Sequence, residues 1–386
     1  MKKKLILSAF ILIVVTLTVI LLGQNNERVI YSSKINELPT ADALAMMYET
    51  ESGSGEYVIS DDTSWPLEGY VFNAELSRCE NGSKLYWDEE TKSVMMEANV
   101  SDKCYVYFDV ATLEDLCNGL SLSECITTQV YTGTDGDNGL YYHDGVGNYI
   151  NADQEAGDYS YRFSGANPNN YVCFGSDETI CPEDNLYRII GVFDSEVKLI
   201  KATSYGEYEY DEDNNNTWNS TTKPDIYTTL NTTYYNTLES KWQNLIADHI
   251  FEVGGMTRDD SYTVKQYYDV EVGTGQTGYE ETMKIGLMYA SDFGYGVSPE
   301  TWTMSLGSNS SNFGTDNWLY LDSDEWLISP RSDSTGYSFI VYAYIRGSVN
   351  NLYVYATEIV RPCFYLNSNV TMTSGTGTES DPYRIA

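Results

Sequence analysis

Two histidines, seven cysteines and a surplus of carboxylates are the side chains of this chain with chemistry to offer. His249 continues the helical spacing of Leu230, Tyr234, Leu238, Trp242 and Leu245, and reads as a packing or capping residue. There is no HExxH or CxxC to hold zinc, no G-x-S-x-G elbow and no phosphate-binding loop. No pair of carboxylates stands out as a glycosidase dyad. The sequence therefore assigns no catalytic residue and no metal ligand. The clusters DGD (135–137), YDED (210–213) and LDSDE (321–325) offer hard oxygen ligands, and read as solvated loops or weak calcium sites. TDGDNG falls short of an EF-hand loop.

Six cysteines fall into three sequence-local pairs, Cys79 with Cys104, Cys117 with Cys125, and Cys173 with Cys181. An oxidising compartment joins such pairs, although six cysteines allow fifteen connectivities. Cys363 is left over inside the apolar run CFYL and reads as a buried thiol.

The compartment follows from the N-terminus. Residues 5–23 are uncharged and apolar and follow Lys2, Lys3 and Lys4. As a helix they span roughly 28 Å, one hydrocarbon core. The lysines predict a cytoplasmic tail (residues 1–4), a single-pass plasma-membrane anchor and an extracellular remainder. Cleavage as a signal peptide is the alternative, and it exports the same residues. The whole chain carries −35; residues 1–23 hold three lysines and no acid, so the remainder carries −38. A field of that sign repels phosphate backbones and excludes nucleic acid as a partner.

Abundant Tyr, Thr, Val, Asn and Gly predict strands joined by turns, an α+β chain that is mostly β. Residues 24–55 read as a stalk with a short helix capped by Thr40. Residues 56–127 read as a small β domain, in which KLYWD (84–88) and SVMMEANV (93–100) form a hairpin over the turn EETK. Residues 128–160, rich in Gly, Asp, Asn and Tyr, read as a linker, and a larger domain fills 161–386.

The most legible pattern lies at 338–357. Phe339, Val341, Ala343 and Ile345 alternate with Ile340, Tyr342, Tyr344 and Arg346; after GSVN, Leu352, Val354 and Ala356 alternate with Tyr353, Tyr355 and Thr357. Pairing Arg346 with Asn351 sets Tyr344 opposite Tyr353 and Tyr342 opposite Tyr355. The expectation is one aliphatic face and one tyrosine face. Tyrosine offers area, a hydroxyl and few rotors to freeze, so that face is a recognition surface or the cover of a second layer. Its candidate ligand-binding residues are Tyr342, Tyr344, Arg346, Asn351, Tyr353 and Tyr355.

DEWLISPRSD (324–333), RGSVNN (346–351) and VRPCFYLNSNV (360–370), with NYVCFG and YRIIGV upstream, resemble a pattern in surface proteins of Gram-positive gut bacteria. Those proteins carry a domain of unknown function. That domain is similar to the C-type-lectin-like fold of formylglycine-generating enzymes and of the variable proteins made by diversity-generating retroelements. The resemblance covers about residues 160–370. It implies a C-type-lectin-like domain, ligand contacts from Tyr342 to Tyr355, and scaffold roles for Arg361 and Trp326. Formylglycine-generating enzymes use two active-site cysteines, and only Cys363 lies in the matching region, so that activity does not carry over. The Trp-Asn-Asp and Glu-Pro-Asn motifs of calcium-dependent sugar-binding lectins are absent.

The sequence thus predicts a membrane-anchored extracellular binding or adhesion protein, not an enzyme, for a glycan or protein on a cell surface. It implies no cofactor beyond weakly held calcium. A surface-layer or appendage component and a cell-envelope enzyme acting on glycans are the alternatives.

Overall fold

The structure, a computed structural model, describes residues 28–31, 44–59, 68–97, 102–146, 152–307 and 313–386. The expected anchor at residues 5–23 lies outside the described residues. Among the described residues no helix is long and apolar enough to cross a membrane. The chain is mostly β, 35% strand against 18% helix, as its composition predicts. It divides into two compact units, Met1–Leu116 and Cys117–Ala386.

The first unit holds β1 (Arg28–Tyr31), β2 (Leu44–Glu49), β3 (Tyr57–Ile59), β4 (Tyr70–Cys79), β5 (Lys84–Asp88), β6 (Ser93–Glu97) and β7 (Cys104–Val110). They form two sheets, ordered β3-β2-β7-β4 and β1-β6-β5. Leu44, Met46 and Tyr48 of β2, Val106 and Phe108 of β7, and Val94 and Met96 of β6 share one core. The β5–β6 hairpin forms over the expected turn, with Asp88 opposite Ser93. The expected helix and stalk are corrected. Residues 44–49 are a strand paired parallel with β7, and residues 28–31 pair with β6. Leu44, Met46 and Tyr48 sit at steps of two and bury against β7, and that long-range pairing outweighs the helix propensity of Ala, Leu and Met.

The second unit begins before residue 128, so the expected linker is corrected too. Residues 140–142 form β8, the outer strand of a sheet ordered β20-β12-β11-β9-β8, with β10 also on β11. Its members are β9 (Tyr161–Phe163), β10 (Tyr171–Cys173), β11 (Leu186–Phe193), β12 (Glu196–Lys201) and β20 (Cys363–Leu366). The Gly and Asn of the supposed linker make tight turns: Gly136 and Asn138 take positive φ values of 89° and 55°. A second sheet orders β13 (Gly206–Glu209), β19 (Thr357–Val360), β16 (Glu325–Pro330), β17 (Tyr337–Tyr342) and β18 (Ser348–Tyr353). The two-stranded ribbons β14 (His249–Val253) with β15 (Tyr279–Met283) and β21 (Met372–Ser374) with β22 (Arg384–Ile385) complete the strands.

The long helix expected over 230–249 is broken into short turns. An α-helical turn, Asp225–Thr228, passes through a π turn and a 3-10 turn, and a separate turn follows at Ser240–Gln243. The Thr237 hydroxyl donates to the Tyr234 carbonyl and so competes with helical bonding, while the Asn231 amide ties the segment to the Ile285 carbonyl. His249 consequently begins a strand rather than ending a helix.

All three expected disulfides form, Cys79–Cys104, Cys117–Cys125 and Cys173–Cys181, and Cys363 is free and buried. Two buried features stabilise the second sheet. The Arg361 guanidinium grips Glu325 twice at 2.8 Å with both side chains almost wholly enclosed. Trp326 is fully buried and donates to the Tyr208 carbonyl.

Candidate functional site

The C-terminal hairpin forms, but seven positions out of the expected register. Tyr342 pairs with Ser348 and Tyr337 with Tyr353. The connection is 343–347, a 3-10 turn closed by Arg346 and Gly347 in left-handed conformations at φ 45° and 83°. A Cβ on Gly347 would meet the Gly314 nitrogen at 2.7 Å, so the turn needs glycine there. Both faces of β17 are covered, with Ser338 to Val341 all buried. The alternation expected of a half-buried arm therefore did not set the register.

This register splits the expected tyrosine face. Tyr342, Tyr344 and Arg346 lie at the turn, and Tyr344 is 87% exposed. Tyr353 lies at the other end, about 17 Å away along the strand, with Tyr355 just beyond it, and Asn351 lies in mid-strand opposite Phe339. There Tyr353 packs between Tyr337 (ring centroids 4.5 Å apart) and Tyr355 (5.2 Å, nearly parallel). The Arg331 guanidinium lies 5.3 Å from the Tyr337 ring. It is fixed by two bonds to Asp333 and one of 2.7 Å to the Asn351 oxygen. Tyr353 and Tyr355 remain about half exposed. The cluster is a ladder of rings packed on one another and partly open to solvent. Sequence reasoning missed Tyr337 and Arg331. The signal was the motif SPRSD, which ends β16 and turns Arg331 toward the start of β17.

A second site was not foreseen. One face of the first sheet carries, in a single cross-strand row, Arg162 opposite Gly191, Gly191 opposite Lys198 and Lys198 opposite Tyr365. A Cβ on Gly191 would collide with the Tyr161 carbonyl, so the row carries a gap between its two cations. Asp292, on the short helix Ala290–Tyr295, answers both: its Oδ2 accepts from Lys198 Nζ at 2.6 Å and its Oδ1 from Arg162 at 3.4 Å. Arg162 also donates to Asp158 at 2.7 Å and to the Ser160 hydroxyl at 2.8 Å. These groups border a cleft of about 210 Å³ whose walls include Phe193, Tyr268, Tyr289, Tyr365 and His249. His249 stacks on Tyr365 at 3.5 Å and bonds to Glu196 through Nδ1 at 2.7 Å.

The electrostatics are those of a closed cluster. Burial alone would raise Asp158, but Arg162 and Ser160 hold it down to about 2. Burial alone would lower Lys198, but Asp292 raises it. Burial pushes the nearby Cys363 thiol up to about 12, which removes it as a nucleophile at neutral pH. A lysine in the otherwise apolar strand VKLI was the available sequence signal for this site.

The other histidine, His143, is fully buried, accepts the Ala156 N–H through Nδ1 and packs against Tyr295 and Trp302. The acidic clusters serve as local acceptors. Asp135 takes the Tyr142 N–H, Asp211 the Asn215 N–H and Asp324 the Ala343 N–H. Among the described residues, the one group with three His, Cys, Asp or Glu ligand atoms within 4.8 Å of one another is Cys79, Asp102 and Cys104. Its two sulfurs are joined in a disulfide. Comparison with known proteins gave no matching family model, curated protein or solved structure.

Proposed function

We propose that the chain is an exported, membrane-anchored binding protein that presents the Arg331–Tyr337–Tyr353–Tyr355 ladder, with Asn351, to a glycan or protein on a cell surface. The observation that carries this is the ladder itself. Its outer rings, Tyr353 and Tyr355, are about half exposed, and the Arg331 guanidinium beside Tyr337 is bonded to Asp333 and Asn351. Pre-ordered tyrosines lose little entropy on binding, and tyrosine hydroxyls suit polar partners. The anchor, with the N-terminus in the cytoplasm and the remainder outside, rests on the apolar run 5–23 and the three lysines before it. A C-type-lectin-like fold for the second unit rests on the motif resemblance. The buried Trp326 and the Arg361–Glu325 pair, at motif positions with scaffold roles, support it.

The test is binding of the purified protein to glycan arrays, mucins and cell-surface proteins, with calcium and with chelator. A saturable ligand is expected, and Tyr353→Ala should weaken it by about tenfold or more, the loss typical of a central interface tyrosine. A chelator-sensitive hit would assign calcium to the site. No saturable ligand under either condition would overturn the reading.

A further inference from the structure

We propose that Lys198 and Asp292 condense into an intramolecular amide that ties β12 to the helix Ala290–Tyr295. Lys198 is fully buried and Asp292 nearly so, and their charged atoms already touch at 2.6 Å. The lysine ammonium has three protons to place. Asp292 takes one; the other neighbours of Nζ are rings, Tyr289 at 4.3 Å, Tyr365 at 5.2 Å and Phe193 at 5.7 Å. Rings are weak substitutes for the hydration of an ammonium, and a buried ion pair is costly to keep charged.

The reaction balances within the pair. The ammonium passes one proton across the contact to the carboxylate, giving a neutral amine and a neutral acid. The amine nitrogen then attacks the Asp292 carboxyl carbon. Arg162, at 3.4 Å from Oδ1, faces the oxygen on which negative charge develops. A second proton moves from nitrogen to the departing hydroxyl, the C–O bond breaks, and water leaves into the adjoining cleft. One N–C bond forms, one C–O bond breaks, and no oxidant or co-reactant is needed. Local charge stays balanced, because Arg162 keeps Asp158 as its partner. The link would join positions 94 residues apart and withstand reduction, unlike the disulfides.

The test is the intact mass of the purified full chain after complete reduction, followed by peptide mapping. The expected result is a mass lower than the sequence mass by one water, with a branched peptide joining the Lys198 and Asp292 segments. Asp292→Asn should lose ammonia instead and give the same branched product. Lys198→Met should restore the linear mass. A linear mass for the wild-type chain, with Lys198 and Asp292 in separate peptides, would overturn the proposal and leave an ordinary buried ion pair. A water loss mapped elsewhere would overturn it equally, and neither result depends on a variant that folds.

Discussion

Arg361 shows how much one buried side chain is asked to do. It satisfies both oxygens of Glu325 and also donates to the Leu319 carbonyl at 2.6 Å. Removing it strands a carboxylate that is 2% exposed. Arg361→Ala should therefore cost about 3–5 kcal/mol, read as a lowered denaturant midpoint. Glu325→Leu in the same chain should recover much of that loss, because no unpaired charge would remain. Gly191 acts by what it lacks. Gly191→Ala should destabilise by about 1–3 kcal/mol, since the new methyl must displace backbone of the neighbouring strand. Unchanged stability would show that the row carrying Arg162 and Lys198 is looser than described.

At the scale of elements, the second sheet gathers carboxylates. Burial, then Asp324 and Glu207, push the Glu358 carboxyl on β19 up to about 7. Its folded value lies above the ordinary carboxyl value, so the folded chain holds a proton that the unfolded chain releases. The resulting stabilisation is whole below about pH 4 and is lost as pH rises through about 7. Stability should thus fall across that window, and Glu358→Gln should flatten the fall in a series of denaturation curves. Elements also show what the sequence could convey. The β5–β6 hairpin was legible because its two β-rich arms flank a short polar turn. The C-terminal hairpin was misread because β17 is covered on both faces, so alternation carried no register information. Leu44–Glu49 was misread because its partner, β7, lies about 60 residues away. The ion cluster was illegible for the same reason: Arg162, Lys198 and Asp292 meet only through sheet order.

For the whole molecule, the cysteines were the most transferable signal, since each pair is local and the implied compartment is oxidising. The bridge from Cys79 to Cys104 closes the longest of the three loops. Replacing both cysteines with alanine should cost the first unit about 3.5 kcal/mol, and its unfolding should then begin at lower denaturant. The net charge of −35 gives the chain a field that repels phosphate backbones.

On the proposed function, recognition belongs to the ladder at one end of the hairpin and not to the tyrosines at its turn. The direct measurement compares two double variants of the purified protein against the same ligand. Tyr353→Ala with Tyr355→Ala should lose binding by a hundredfold or so, while Tyr342→Ala with Tyr344→Ala should bind within about threefold of the parent. Loss confined to the turn variant, or equal loss in both, would overturn that assignment.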